Sequence, residues 1–103
     1  MRHELKCWKD PFEVALYDRK HHEIRKNDRG FEVGDEILLK EWIPAPRPRR
    51  DDEPQGAYTG RDLLVVVTYI SRGPEWGIPE GLVVMSIERP KRPWWQGFGS
   101  RNP

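Results

Sequence analysis

A chain of 103 residues with 18 Lys and Arg against 17 Asp and Glu carries a formal net charge of +1, so any nucleic-acid or membrane-surface partner must be argued from local clustering. The 36% hydrophobic share leaves room for one small core, and 11% aromatic residues argue against a disordered chain. No apolar run reaches membrane-span length, MRHELKCWKD at the N-terminus lacks the apolar stretch of a signal peptide, and the single cysteine excludes an internal disulfide and a multi-cysteine metal centre.

Residues 3–8 alternate loosely and predict a short strand. A helix start follows. Asp10 is placed as N-cap, Pro11 at the first helical position and Glu13 three past the cap, an Asp version of the capping box. Phe12, Ala15 and Leu16 fall at helical spacing, which predicts a helix over about 11–19 ending near Arg19 or Lys20. His21–Lys26 reads as a strand with Ile24 as its core residue, turning Glu23 and Arg25 together to the opposite face. Asn27, Asp28 and Gly30 mark a turn, and Val33-Gly34-Asp35 a second turn that launches a strand over Glu36–Ile43. The prolines and the charge block Arg47–Glu53 predict an exposed, partly disordered loop over 44–60.

Within Arg61–Ser71, the run Leu63–Val67 predicts a central strand buried on both faces. Gly73–Gly81 is a turn-rich connection carrying Trp76, and Leu82–Glu88 is the last strand. The organisation expected is one domain over 1–88 and a Pro/Trp-rich basic tail over 89–103. Five strands and one main helix predict an α+β, mainly β fold, a small mixed barrel rather than a sandwich.

The run HELK at 3–6, EIRKNDRGFEVGDEILLKEW at 23–42 and YTGR at 58–61 resemble a small bacterial and phage family of uncharacterised domains. That family stands near the ASCH domains of the PUA-like superfamily. The resemblance covers about residues 3–88 and implies a PUA-like (ASCH-like) β-barrel with the helix closing one end. It also implies a polar cleft between the helix end and the following strand, and binding of RNA or a modified nucleoside. Some small ASCH proteins of similar outline hydrolyse N-acylated cytidines with a Lys and a Thr near this strand. Lys20 stands at the Lys position, but Glu23 occupies that of the Thr, and a carboxylate is no hydroxyl nucleophile, so the mechanism does not carry over intact.

Lys20, Glu23 and Arg25 form the first candidate constellation. Arg25 can contact a phosphate or base edge in bidentate fashion, and Glu23 can accept from an exocyclic amine. Lys20 can neutralise phosphate or, desolvated, act in proton transfer. A plain salt bridge is the competing reading. Arg29 follows the Asn27-Asp28 turn and is placed at the cleft rim. His3 and Lys6 are placed around it, with a satisfied structural histidine as the alternative for His3. Adjacent His21 and His22 point to opposite faces and do not share a metal, and Cys7 is read as a buried structural thiol. Lys91, Arg92, Trp94 and Trp95 interleave charge and aromatic rings, a pattern that suits single-stranded nucleic acid; the tryptophans folding back over the barrel is the alternative. No metal and no cofactor are expected, and the location expected is the cytoplasm. The leading function is a nucleic-acid module, for RNA or a modified nucleotide. A small hydrolase of modified nucleosides or RNA and a regulator acting by protein contacts are the competing readings.

Overall fold

The structure is a computed structural model that describes residues 1–91. Strand β1 (Arg2–Trp8) runs directly into helix α1 (Lys9–Leu16), followed by β2 (His22–Lys26), β3 (Glu36–Pro44), β4 (Gly56–Arg72) and β5 (Leu82–Glu88). The five strands form one sheet in the order β1-β3-β4-β5-β2. Strand β1 lies parallel to β3, and the other neighbours are antiparallel. Because β1 and β2 stand at opposite ends of this order, the sheet is not closed into the predicted barrel. The mainly β reading with one main helix holds.

One face of the sheet is the core. Alternation turns Leu5 and Cys7 of β1, Ile37 and Leu39 of β3, Leu63, Val65 and Val67 of β4, and Val83, Met85 and Ile87 of β5 inward, all buried. Helix α1 lies against β3 and β1 and buries Phe12 and Ala15 in this core, which Phe31 also joins. Strand β4 is central in the sheet, but it is not buried on both faces as predicted. Leu64 and Val66 between its buried residues are only half-buried, because one side of β4 faces the core and the other does not.

The helix differs from its prediction at both ends. Trp8 holds the cap position without a side-chain cap bond, and Asp10 sits inside the first turn. The unbroken passage from β1 into α1 sets the start two residues earlier than the Asp-Pro signal. The helix ends at Leu16, and Tyr17 to Lys20 turn back through N–H bonds to the carbonyls of Glu13, Ala15 and Val14.

In β2 the predicted faces are reversed. Ile24 is 57% exposed while Glu23 is buried at 4%. Glu23 and Arg25 do share a face, but it is the inner one. The hairpin of β3 and β4 also reaches further than expected, with Pro44 paired to Gly56, Ile43 to Ala57 and Trp42 to Tyr58. Residues 56–60 of the predicted loop are therefore strand, and Glu53 bonded to Arg49 and Arg50 organises the connection between them.

A polar groove at the seam of the open sheet

The inner face changes from apolar to charged near the end of α1. Glu23, on the edge strand β2, has only Met85 as its ladder partner, so its carboxylate is satisfied by side chains. Lys20, delivered by the turn after α1, donates to Oε1, and Arg25 Nε donates to Oε2 at 3.0 Å. Arg25 Nη2 also donates to the Lys6 carbonyl at 2.8 Å, across the gap to β1. A groove of about 340 Å³ opens here, lined among others by Lys6, Cys7, Lys20, Glu23 and Arg25. Beyond Arg25 a second groove of about 400 Å³ carries Asp28 and Arg29.

The triad has one buried acid and two cations, with side-chain exposures of 16% at Lys20, 5% at Glu23 and 26% at Arg25. It therefore presents a carboxylate with lone pairs to spare, flanked by N–H donors. Cys7 lies beneath it. Burial and then the charge of Glu23 push its thiol up to about 11, against the pull of Lys20 and Arg25. At neutral pH it is a protonated, inert thiol.

Lys6, Lys20, Glu23 and Arg25 thus come together, with Arg29 in the adjoining groove. Arg29 donates to the Glu4 carbonyl at 3.1 Å. His3 is elsewhere, buried at 5% with Nε2 at 2.8 Å from Asp35 Oδ2 and its ring edge-on to Phe31. Burial pushes the Asp35 carboxyl up, but bonds from His3, the Glu32 N–H and the Met1 amine outweigh it and leave it lowered. Among the tail residues, Lys91 is exposed beside His21 and Arg89 in a further groove, while Arg92, Trp94 and Trp95 lie outside the described residues. Among the described residues, no three His, Cys, Asp or Glu side chains converge as a metal site, and no helix is long and apolar enough to cross a membrane.

A second charged cluster escaped the sequence reading. Between the pairs Lys40–Asp62 and Trp42–Tyr58, β3 has one residue and β4 has three. This bulge turns Thr59 and Arg61 onto Glu41, with Gly60 at φ +92° supplying the bend. Thr59 donates to Glu41 at 2.6 Å, and Arg61 donates to both its oxygens at 2.9 and 2.7 Å. Arg61 also reaches Glu13 on α1 at 3.0 Å. The bonds from Arg61 and then Thr59 hold the Glu41 carboxyl at about 2, against its burial. The available signal was Gly60 between strand-favouring Tyr58-Thr59 and the apolar run after Arg61, which the loop reading over 44–60 passed over.

Residues 2–87 match the model of a family described as "Domain of unknown function (DUF3850)". The chain is also 32% identical over 74 residues to an uncharacterised 12.9 kDa protein in the GpA 3′ region of Escherichia phage P2. The match takes in 72% of this chain and 58% of that relative, so the chain spans less than two-thirds of its length.

Proposed function

This chain belongs to the DUF3850 family, and we propose that it is a nucleic-acid-binding module, for RNA or a modified nucleotide, that reads one base in the groove at Glu23. The observation that carries this reading is a buried carboxylate held between Lys20 and Arg25 on the wall of an open groove. A site for phosphate alone would not place a carboxylate at its centre, where it repels the anion. A nucleobase edge offers both donors and acceptors. Cytosine presents an exocyclic amine, which Glu23 accepts, beside a ring nitrogen and a carbonyl, which Arg25 and Lys20 can meet. The resemblance of EIRKNDR and YTGR to a bacterial and phage family placed near the ASCH domains of the PUA-like superfamily is a second, separate support.

Binding is favoured over turnover by the chemistry around the groove. The Cys7 thiol, at about 11, is not a nucleophile at neutral pH. The Thr59 hydroxyl is committed to Glu41, in the other charged cluster.

The test is binding of cytidine and uridine monophosphates and of short RNAs at fixed salt, with product analysis on N4-acetylcytidine. Arg25→Ala should weaken binding by about 1–3 kcal/mol, and Glu23→Gln should alter the preference between cytosine and uracil. Wild-type affinity and preference in both variants overturn the site. Release of cytidine that depends on Lys20 and Glu23 replaces the binding reading with the hydrolase one.

A further inference from the structure

The face of the sheet turned away from α1 carries an aromatic row. Trp8 of β1 stands beside Trp42 of β3, which stands opposite Tyr58 of β4. The Trp8 and Trp42 ring centroids are 5.7 Å apart at a 49° tilt. Trp8 is 56% exposed and Tyr58 55%. Aromatic pairs across strands stabilise sheets, but that role needs neither this exposure nor cations on the rings. Here the Lys6 ammonium lies 4.2 Å from the centre of the Trp42 ring, and the Lys40 ammonium 4.9 Å from that of Tyr58. Lys40 also lies 3.5 Å from Glu4, and Asp62 stands opposite it, but the charges placed over the rings themselves are positive.

We propose that this face binds single-stranded nucleic acid, with successive bases stacked along Trp8, Trp42 and Tyr58. The proposal rests on the groove reading above for the class of ligand, and adds that the ligand is a strand and not a free nucleotide. Lys6 and Trp8 line that groove as well as belonging to this face, so a base in the groove leads its neighbours onto the row. Each lysine is positioned to release its ring to an incoming base and take the adjoining phosphate. Aromatic platforms beside cations suit single strands because every base has a stackable face. The row is also built into the backbone. A Cβ at Gly56 would come within 2.3 Å of the Trp42 ring, so glycine at 56 leaves Trp42 room to lie on the strand.

The test is fluorescence anisotropy with fluorescein-labelled C12 RNA and dC12 DNA, set beside calorimetry with cytidine monophosphate. The wild type should bind the strands more tightly than the mononucleotide. Trp8→Ala and Tyr58→Ala should each lose about 5- to 100-fold of strand affinity. Tyr58→Phe, which keeps the ring, should retain it, as should Trp76→Asn at an exposed tryptophan outside the row. Lys40→Ala should make the log–log salt dependence shallower by about 0.7. Equal RNA and DNA binding would mark a backbone-and-stacking surface, and a preference for one would identify the strand. If strands bind no better than the mononucleotide, and Tyr58→Ala is silent while Arg25→Ala is not, the face is overturned and the groove stands. If strand binding follows Tyr58 but ignores Arg25, the groove reading falls and the face stands. Absence of nucleic-acid binding by the wild type overturns both and leaves the row to a protein partner.

Discussion

Arg25 Nη2 lies 2.8 Å from the Lys6 carbonyl oxygen, joining the outer edge of β1 to β2 where no backbone ladder runs. Arg29 Nη1 repeats the contact at 3.1 Å on Glu4. Residues 4 and 6 are two apart on β1, so their carbonyls leave the strand on the same edge. An open edge of unpaired carbonyls invites pairing with another chain, and two guanidinium groups cover this one. Arg25→Ala should therefore destabilise the fold by about 1–2 kcal/mol, since it uncovers a carbonyl and releases one partner of buried Glu23. Arg29→Ala, at an exposed site, should cost under about 1 kcal/mol. Urea midpoints of the two variants test the order, and a larger loss at Arg29 would contradict the seam.

The half-covered sheet makes a sharp prediction in β4. Val65→Ala removes methyl groups from the buried core, where Val65 is 3% exposed, and should cost about 1–3 kcal/mol. Val66→Ala, one residue on and facing outward, should cost less than half as much. Equal losses would mean that both faces are packed.

Much of this fold was legible in the sequence because period and punctuation are local. The order of strands and helix followed from apolar alternation and turn residues, and Glu23 and Arg25 were rightly placed on one face. What failed was any inference that needed to know where a strand lies in the sheet. Ile24 is more apolar than Glu23, so alternation assigned it to the core. Yet β2 is an edge strand whose inner face meets Lys20 and the seam rather than the apolar centre, and there a paired carboxylate fits. The run Leu63–Val67 was uniformly apolar, so it gave no hint that only one face is covered. The aromatic row and the Glu41 cluster depend on pairing Trp8 with Trp42, and Trp42 with Tyr58, across 34 and 16 residues of chain, as the ladders record.

Helix α1 depends on burial more than on its cap. Asp10 makes no cap bond and contributes only charge in the first turn, so Asp10→Ala should change stability by no more than about 0.3–1 kcal/mol. Phe12 is fully buried, and Phe12→Ala should cost about 3–5 kcal/mol. Thermal melts by circular dichroism should separate the two variants clearly. A large loss at Asp10 would show that the cap lies there after all.

Glycine at position 56 is required by close approach, not by its backbone angles. A Cβ there would meet Trp42 Cζ2 at 2.3 Å and the Ile43 carbonyl oxygen at 2.4 Å, contacts that only movement can relieve. Gly56→Ala should therefore open the end of the β3–β4 hairpin and displace the Trp42 ring, seen as a change in near-ultraviolet circular dichroism. Replacing residues 46–54 with a short Gly-Ser linker should leave that signal in place. The same spectral change in both variants would place the cause in the connection rather than at Gly56.

Glu41 ties acid stability to the bulge of β4. Its carboxyl is held at about 2, below the ordinary 4.5, first by Arg61 and then by Thr59. A depressed folded-state value means that the unfolded chain takes up the proton first. The stabilisation is therefore fully present above about pH 4.5 and is lost progressively as pH falls toward 2. Arg61 stays charged throughout, since Glu41 and then Glu13 push its ionisation further up. Glu41→Gln should flatten the dependence of the urea midpoint on pH across this window while lowering the midpoint at pH 7. Some slope should survive, because Asp35 is lowered in the same direction by His3 and the Glu32 N–H in spite of its burial. Arg61→Ala should flatten the Glu41 slope more than Thr59→Ala, because the Arg61 bonds contribute most to the shift and the Thr59 bond still lowers the carboxyl when Arg61 is gone. An acid limb as steep in Glu41→Gln as in the wild type would move the titrating group elsewhere in the fold.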